Sequence, residues 1–443
     1  MRDISNFIEK QQNLIFEAAD FIWKHPETGY REVVTSEYLA EQFEKLGYDI
    51  VKAEEITGFY TIIDTGRPGP EVMILGEMDS IICPSHPAAN KETGAVHACG
   101  HHQQSAVLLG IAAALKEPGA LEGLCGRIRL CAVPAEELLE IEYRSKLREQ
   151  GIIKYYGGKN EFLHRGYFDS VDLAFMVHSG NNFNVYPIWD GCLVKNIIYK
   201  GTSAHAGGAP WEGNNALYAA TCGINAVNAI RETFKDTDYV RVHPIITHGG
   251  DIVNAIPESV RMESFVRGST VDAIAKANNK VNQALIGGAL SLNNNIEIID
   301  ISGYSPLINN TDMIELAKEV TAAVIPDVEF TVNDGVYTVS TDMGDLSMIM
   351  PVFHPCFGGC KGSLHANNFE VSDPEVAYLE NAKFQLGMLF ALLSNGGKKA
   401  KEVVANYKPQ FATKEEFLSY VDHFENAQTR ISYHEDGTAT IRL

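Results

Sequence analysis

A short stretch of the chain, residues 97–102, carries four side chains that can bind a metal ion. It reads His97-Ala98-Cys99-Gly100-His101-His102. A thiolate and an imidazole two residues apart can hold one divalent ion from a single turn. A lone cysteine or histidine in an apolar stretch is more often a packed core residue. Four together, beside a glycine and before a long apolar run, favour a metal site.

Carboxylates that could complete such a site follow two predicted strands. Val133-Pro134-Ala135-Glu136-Glu137 ends one strand, and Asp79 follows the apolar run VMILGEM. Neighbouring side chains in an extended or turn backbone point in different directions. One glutamate can therefore bind metal while the other takes a proton from water. Asp79 would orient a ligand histidine. Each of them alone is equally explained by an acidic loop or a strand-end turn.

Two further histidines stand where a chain can present a ligand. His178 ends the apolar run VDLAFMV, at a predicted strand tip. His365 lies in GGCKGSLHANNFE, a glycine-rich loop that allows a ligand to approach the backbone closely. His178 alone would be read as a satisfied core histidine.

Length and composition describe an ordinary globular protein of more than one domain. The chain has 443 residues, 45% of them hydrophobic, which is too long for one typical core and predicts two domains. Its net charge is −21. Such an acidic surface repels phosphate groups, so nucleic acid and anionic membranes are excluded as expected partners.

The cysteines and the amino terminus indicate a cytoplasmic protein. The first residues alternate charged and apolar positions at helical spacing and lack the apolar core of a signal peptide. No stretch approaches 18 uninterrupted apolar residues, so no membrane span is expected. Eight cysteines without small-domain spacing suggest reduced thiols. Cys356 and Cys360 have no second pair nearby, and we interpret them as buried or incidental.

Strands and helices alternate along the first part of the chain. EVMILGEMD and GRIRLCAVPAEE are strands that end in acid, and SAVLLGIAAALKE between them is a helix. This alternation predicts an α/β domain with a largely parallel sheet flanked by helices. Chemistry in such sheets collects beyond the carboxyl ends of the strands. The acidic clusters and the Cys/His turn stand at those positions.

The pattern changes at about residue 190 and returns at about residue 305. Two strand–helix repeats, with two strands separated only by a turn, predict a small α+β domain with an antiparallel sheet over residues 191–304. We therefore expect a discontinuous catalytic domain, residues 1–190 and 305–443, that encloses an inserted one. The tail after residue 396 is predicted to hold a helix in KEEFLSYVDHF and a hairpin with an Asp-Gly turn in ISYHEDGTATIRL.

Several motifs, in this order, resemble the M20 metallopeptidase family and its amidohydrolase branch, M20D. The branch includes aminoacylase-like, carboxypeptidase-like and aminobenzoyl-glutamate-hydrolase-like enzymes. The resemblance covers about residues 20–395, and its most specific parts are HACGH, PAEE and GTSAHAG. The motifs are HPETGYRE, GEMDSIICP, HACGHH, VPAEE, VHSGN, GTSAHAG, VNAIPE, STDMGD and SLHANNF.

The resemblance implies a site with two divalent metal ions, zinc or manganese first, with cobalt and nickel as further options. Its five ligands would be Cys99, His101, Glu137, His178 and His365, with the thiolate bridging. Glu136 would be the general base and acid, supported by Asp79. His205, in the inserted domain, would stabilise the oxyanion. Asn254 and Arg267 would bind the substrate, since arginine offers a planar fork to a carboxylate.

The resemblance also implies a homodimer formed through the inserted domain, with His205 serving the partner subunit's site. Three departures from the family pattern concern substrate choice and the surroundings of the ligands. His102 stands where relatives usually have Asp, and Glu77 where they have Asp. LLEIEYRSKLREQ, which predicts a charged helix, replaces a glycine-rich segment.

Two functions from different classes follow. The first is a metal-dependent amidohydrolase that cleaves an N-acyl amino acid, a dipeptide or an aminobenzoyl-glutamate-like amide. The second is a catalytically inactive, metal-binding homologue that acts as a binding protein. Retention of Glu136 beside five ligands favours the first, because a binding protein needs no base.

Overall fold

The computed structural model describes residues 4–424 and 426–443. Its helices are, in chain order, α1 (Ile4–Glu9), α2 (Gln12–Lys24), α3 (Val33–Lys45), α4 (His101–Leu115), α5 (Ile141–Glu149), α6 (Gly158–His164), α7 (Ala216–Ala229), α8 (Val271–Ser291), α9 (Thr311–Val324), α10 (Met343–Ser347), α11 (Asn381–Leu393), α12 (Lys398–Asn406) and α13 (Lys414–His423). Among the helices of these residues, none is both long and apolar enough to cross a membrane.

The strands of the same residues are mostly short. They are β1 (Val51–Lys52), β2 (Phe59–Asp64), β3 (Glu71–Glu77), β4 (Ile81–Ile82), β5 (Ala95–Val96), β6 (Arg127–Val133), β7 (Leu173–Phe175), β8 (His178–Ser179), β9 (Asn184–Val185), β10 (Ile188–Trp189), β11 (Gly191–Lys200), β12 (Arg241–Val242), β13 (Ile245–His248), β14 (Ser259–Gly268), β15 (Asn295–Tyr304), β16 (Leu307–Ile308), β17 (Thr331–Val332), β18 (Val336–Tyr337), β19 (Val352–Phe353), β20 (Cys356–Phe357), β21 (Cys360–Lys361), β22 (Glu370–Val371), β23 (Asn426–Thr429), β24 (Ile431–Tyr433) and β25 (Ala439–Ile441).

The chain divides into two compact units, each assembled from separate stretches. The first contains residues 4–187, 308–335 and 345–412, and the second contains 188–307, 336–344 and the described part of 413–443.

The first unit is built on a mixed sheet in the order β1-β2-β6-β3-β7-β19. The four strands from β6 to β19 are parallel, and β1 and β2 add an antiparallel edge. Strand β3 is buried along its whole length, as expected for a central strand covered on both faces. All residues of helix α4 are buried, which explains why SAVLLGIAAALKE is apolar around its full circumference.

The second unit holds an antiparallel sheet in the order β12-β14-β11-β15-β23, with β13 also paired to β14. Helices α7 and α8 pack on one face, and their apolar residues share a core with β11, β14 and β15. A mostly parallel sheet in one unit and an antiparallel sheet in the other confirm the predicted α/β class with a second α+β part.

The tail lies with a different unit from the one expected. The sequence places all of residues 305–443 in the enclosing domain, but the described residues after 412 group with the second unit. The physical reason is that β23 hydrogen-bonds along β15 and extends its sheet. The predicted tail helix and hairpin are confirmed, as α13 and as the β24–β25 pair.

Candidate metal centre

The carboxyl ends of three parallel strands and the start of one helix meet at the candidate site in the first unit. Asp79 follows β3, Glu136 and Glu137 follow β6, and His178 follows β7. His101 is the first residue of α4. This is the edge of the sheet at which α/β proteins place their ligands.

Gly100 is required by the turn that carries the first two ligands. Its φ is +84°, and a Cβ there would lie 2.0 Å from Oγ of Ser179. That hydroxyl donates a hydrogen bond to the carbonyl of Cys99 at 2.6 Å. The loop of His365 is tied to the same turn, because its backbone N–H donates to the carbonyl of Ala98 at 2.9 Å.

The five predicted ligand side chains come together with their ligand atoms facing each other. Cys99 Sγ lies 3.3 Å from His178 Nε2 and 3.2 Å from His365 Nε2. His365 Nε2 lies 2.8 Å from a Glu137 carboxylate oxygen. The atoms form two groups that share Cys99, each within 4.8 Å: Cys99, His101 and His178, and Cys99, Glu137 and His365.

Asp79 fixes two of these ligands at once. One carboxylate oxygen lies 3.0 Å from Nδ1 of His101, and the other accepts the backbone N–H of Glu137 at 2.8 Å. Glu32, buried nearby, accepts the N–H of Ala135 at 2.8 Å, where the backbone takes a φ of 57°. Burial and then the charge of Asp79 raise the pKa of Glu32 to about 8.

The site's charges stabilise one another. Burial and Glu137 act to raise the pKa of the Cys99 thiol, but three histidines outweigh them and lower it to about 6. Burial acts against the charged form of His365, yet Cys99 and Glu137 raise its pKa to about 11. A cluster of thiolate, carboxylate and imidazoles is the donor set from which a metal ion displaces protons.

The donor set therefore fits two divalent ions. Nδ1 of His101 faces Asp79, and Nδ1 of His178 lies 2.8 Å from the carbonyl of Ser179, so Nε2 of each ring faces the cluster. Sulfur and imidazole ligands suit zinc, and carboxylate widens the choice to manganese and its neighbours.

Glu136 lies beside this cluster with its side chain largely buried. Its carboxylate oxygen is 4.0 Å from Nε2 of His101. Glu136 and Glu137 project in different directions, as expected for neighbours in a turn. One is thus near the ligand atoms while the other takes part in the Cys99 group.

The three remaining predicted residues belong to the second unit. Nδ1 of His205 accepts hydrogen bonds from the backbone N–H groups of Gly207 and Gly208, at 3.2 and 2.9 Å. The carbonyl of Asn254 accepts the N–H of Ala206 at 3.0 Å, which brings His205 and Asn254 onto neighbouring loops. Arg267 lies apart on β14, and its guanidinium donates to Ser340 Oγ at 2.6 Å.

The other candidate residues of the sequence are core side chains. His97 and His102 are buried with rings 5.6 Å apart, and His102 packs edge-on against Trp23 at 4.9 Å. Cys356 and Cys360 are buried and free, and neither belongs to a group of potential ligands within the described residues.

Sequence reasoning missed the buried pair of Glu77 and Lys159. Both side chains are fully buried, and Lys159 Nζ lies 2.5 Å from a Glu77 oxygen. The other Glu77 oxygen is 3.1 Å from Nε2 of His101. The only signal was the departure at residue 77, because nothing in GGKNEF marks its lysine as buried.

Comparison with known proteins decides the family. A profile described as peptidase family M20/M25/M40 matches residues 73–388 of the chain. The chain belongs to this family. Membership makes it a metal-dependent amide hydrolase and confirms the resemblance seen in the motifs.

Relatives of known name are distant but long. The chain is 24% identical to a p-aminobenzoyl-glutamate hydrolase polypeptide of Escherichia coli (strain K12), over 80% of this chain and 83% of that protein. It is 29% identical to Xaa-Arg dipeptidase of Mus musculus, over 59% and 57%. A dinuclear metal binding M20 peptidase from Bacillus subtilis has the same fold, with a TM-score of 0.66, 20% identity and coverage of 88% and 99%.

Proposed function

We propose that this protein hydrolyses the amide bond of an N-acyl amino acid, a dipeptide or an aminobenzoyl-glutamate-like substrate, at a centre of two divalent ions. The convergence of five ligand side chains beside Glu136 carries this proposal. The ligands would be Cys99, His101, Glu137, His178 and His365.

The metal ions would polarise the amide carbonyl and activate water for attack. Glu136 would accept the proton of that water and pass it to the leaving nitrogen, which is the task of a general base and acid. Asp79 would hold His101 and the backbone of Glu137 in place during the reaction.

His205 would donate a hydrogen bond to the oxyanion. Its Nδ1 accepts two backbone N–H groups, so the proton of a neutral imidazole is on Nε2, and Nε2 is the donor. Arg267 would bind a carboxylate of the substrate with its planar fork, and Asn254 would bind a carbonyl or carboxylate. In this proposal His205 comes from the same chain or from the partner of a dimer.

The proposed homodimer would form through the second unit. Strand β13 is exposed along its length, and Ile245 and Ile246 keep 49% and 39% of their surface. The loop residue Val253 is fully exposed. An apolar edge strand is a usual site for pairing with another chain. The eight free cysteines support our further proposal of a cytoplasmic location.

The names of the relatives define the substrates to test. The purified protein is loaded with zinc, manganese, cobalt or nickel and assayed with aminobenzoyl-glutamate, dipeptides including Xaa-Arg, and N-acyl amino acids. We expect hydrolysis of at least one class, abolished by removal of metal. A protein that binds two ions and hydrolyses none of these amides would contradict the proposal and support a binding protein.

A further inference from the structure

Glu77 is a buried carboxylate that points at the ligand atom of His101. Its Oε2 lies 3.1 Å from His101 Nε2, and Glu77, His101 and Glu136 form a third group of potential ligands within 4.8 Å. Glu77 ends β3, and its side chain is fully buried.

The hydrogen bonds of His101 leave a lone pair facing that carboxylate. Nδ1 lies 2.9 Å from the Asp79 carbonyl and 3.0 Å from an Asp79 carboxylate oxygen, so Nδ1 carries the proton of the neutral ring. Nε2 then presents a lone pair, and it has no hydrogen-bond partner among the described residues. Two lone pairs 3.1 Å apart in a buried site repel each other unless a cation lies between them.

The distance suits two ligands of one ion. Imidazole and carboxylate ligands at about 2.1 Å from a metal, at angles between octahedral and tetrahedral, are roughly 3.0–3.4 Å apart. Glutamate is one methylene longer than the aspartate of the family pattern, which extends its reach towards Nε2.

Lys159 keeps Glu77 charged and in place. Its Nζ lies 2.5 Å from the second oxygen of Glu77, and Gln104 donates to the first at 2.8 Å. A lysine buried without a countercharge would lose its proton, so the pair forms a unit. The orientation leaves Oε2 with a free lone pair towards His101.

We propose that Glu77 is a sixth ligand of the metal centre, bound to the same ion as His101 and His178. Lys159 is its positioning residue. This inference rests on the proposed two-metal site and adds a carboxylate to it.

The test compares Glu77→Gln with the wild type by titration with cobalt(II), whose visible absorption reports coordination, and by metal content after dialysis. We expect one of the two ions to bind at least about 10–100-fold more weakly, with an altered spectrum. Glu71→Gln is the matched control. Glu71 is a buried carboxylate at the other end of β3, paired with Arg129 at 2.6 Å, and its loss leaves the metals unchanged.

Two further variants separate a ligand from a structural ion pair. Glu77→Gln/Lys159→Met removes both charges, so it avoids an unpaired buried lysine if the single variant fails to fold. Glu77→Asp keeps the pair and shortens its reach. Either folded variant with two cobalt ions, wild-type affinity and the wild-type spectrum overturns the proposal. A wild type that binds two ions without hydrolysing any amide contradicts the proposed function only.

Discussion

His205 owes its proposed role to two backbone hydrogen bonds. Because Gly207 and Gly208 donate to Nδ1, the ring presents an N–H at Nε2 without being charged. We expect His205→Ala to lower kcat by about 10²–10³-fold, the usual cost of one oxyanion donor, with a smaller change in KM. Steady-state kinetics measure this, with the exposed His434→Ala as control. An unchanged kcat would remove His205 from the mechanism.

Asp190 is predicted to make the stability of the protein depend on pH. It is fully buried, and burial raises its pKa from 3.8 to about 7 although Arg267 and Arg241 act in the opposite direction. A carboxyl whose pKa is raised by folding contributes stability that is present below pH 4 and is lost as pH rises to 7. The loss is at most about 1.4 kcal/mol per pH unit.

Asp190→Asn removes this titration. We expect the Tm of the variant, relative to the wild type, to rise steadily between pH 4 and 7 and then to level off. Thermal unfolding at several pH values measures the difference, and Asp251→Asn at an exposed site is the control. A difference that is constant with pH would show that Asp190 stays ionised.

Residue types alone identified the ligands but not the depth of the other histidines. Cys99 and His101 were predicted from their spacing, whereas His102 in the same turn gave an equal signal. Burial, and then the charge of His101, lowers the pKa of His102 to about 3, so its ring is neutral. Its place against Trp23 depends on helix α2, which is distant in sequence.

At the scale of elements, the packing of α8 on its sheet encloses a charge. Lys195 on β11 is fully buried and donates to Asn278 and Asn282 of α8 at 2.7 and 2.6 Å. It also contacts the carboxylate of Asp300 on β15. One helix and two strands therefore meet at one ammonium group.

Removing one partner of this network should destabilise the second unit. We expect Asp300→Asn to lower the free energy of unfolding by about 3–5 kcal/mol, because it leaves the ammonium of Lys195 buried without a countercharge. The double variant Lys195→Met/Asp300→Leu should recover most of the loss. A double-mutant cycle by urea unfolding gives the coupling. Equal losses in the single and double variants would contradict it.

Elements near the site were predictable because parallel sheets have a simple rule. Apolar runs followed by acid marked β3 and β6, and the rule that ligands gather beyond strand ends placed Asp79 and Glu136 together. Strand β23 was not predictable, because Asn426–Thr429 has no apolar alternation and pairs with a strand far away in sequence. Lys159 gave no signal for the same reason: its partner lies on another element.

At the scale of the whole molecule, the exposed edge strand predicts the oligomeric state. We expect a dimer whose mass halves in Ile245→Lys/Ile246→Lys, since lysine on an edge strand opposes pairing. Light scattering after size-exclusion chromatography measures the mass. Ile62→Lys, at a residue of the first unit that is 39% exposed, is the control. A monomeric wild type, or a dimeric double variant, would contradict the proposed interface.

The central claim is that a water activated at the metal centre loses its proton to Glu136. The most direct measurement is the turnover of Glu136→Gln, with its metal content determined on the same sample. We predict two bound ions, as in the wild type, and a rate lower by about 10²–10⁴-fold, the usual contribution of a general base. Wild-type turnover with both ions bound would contradict the assignment of Glu136.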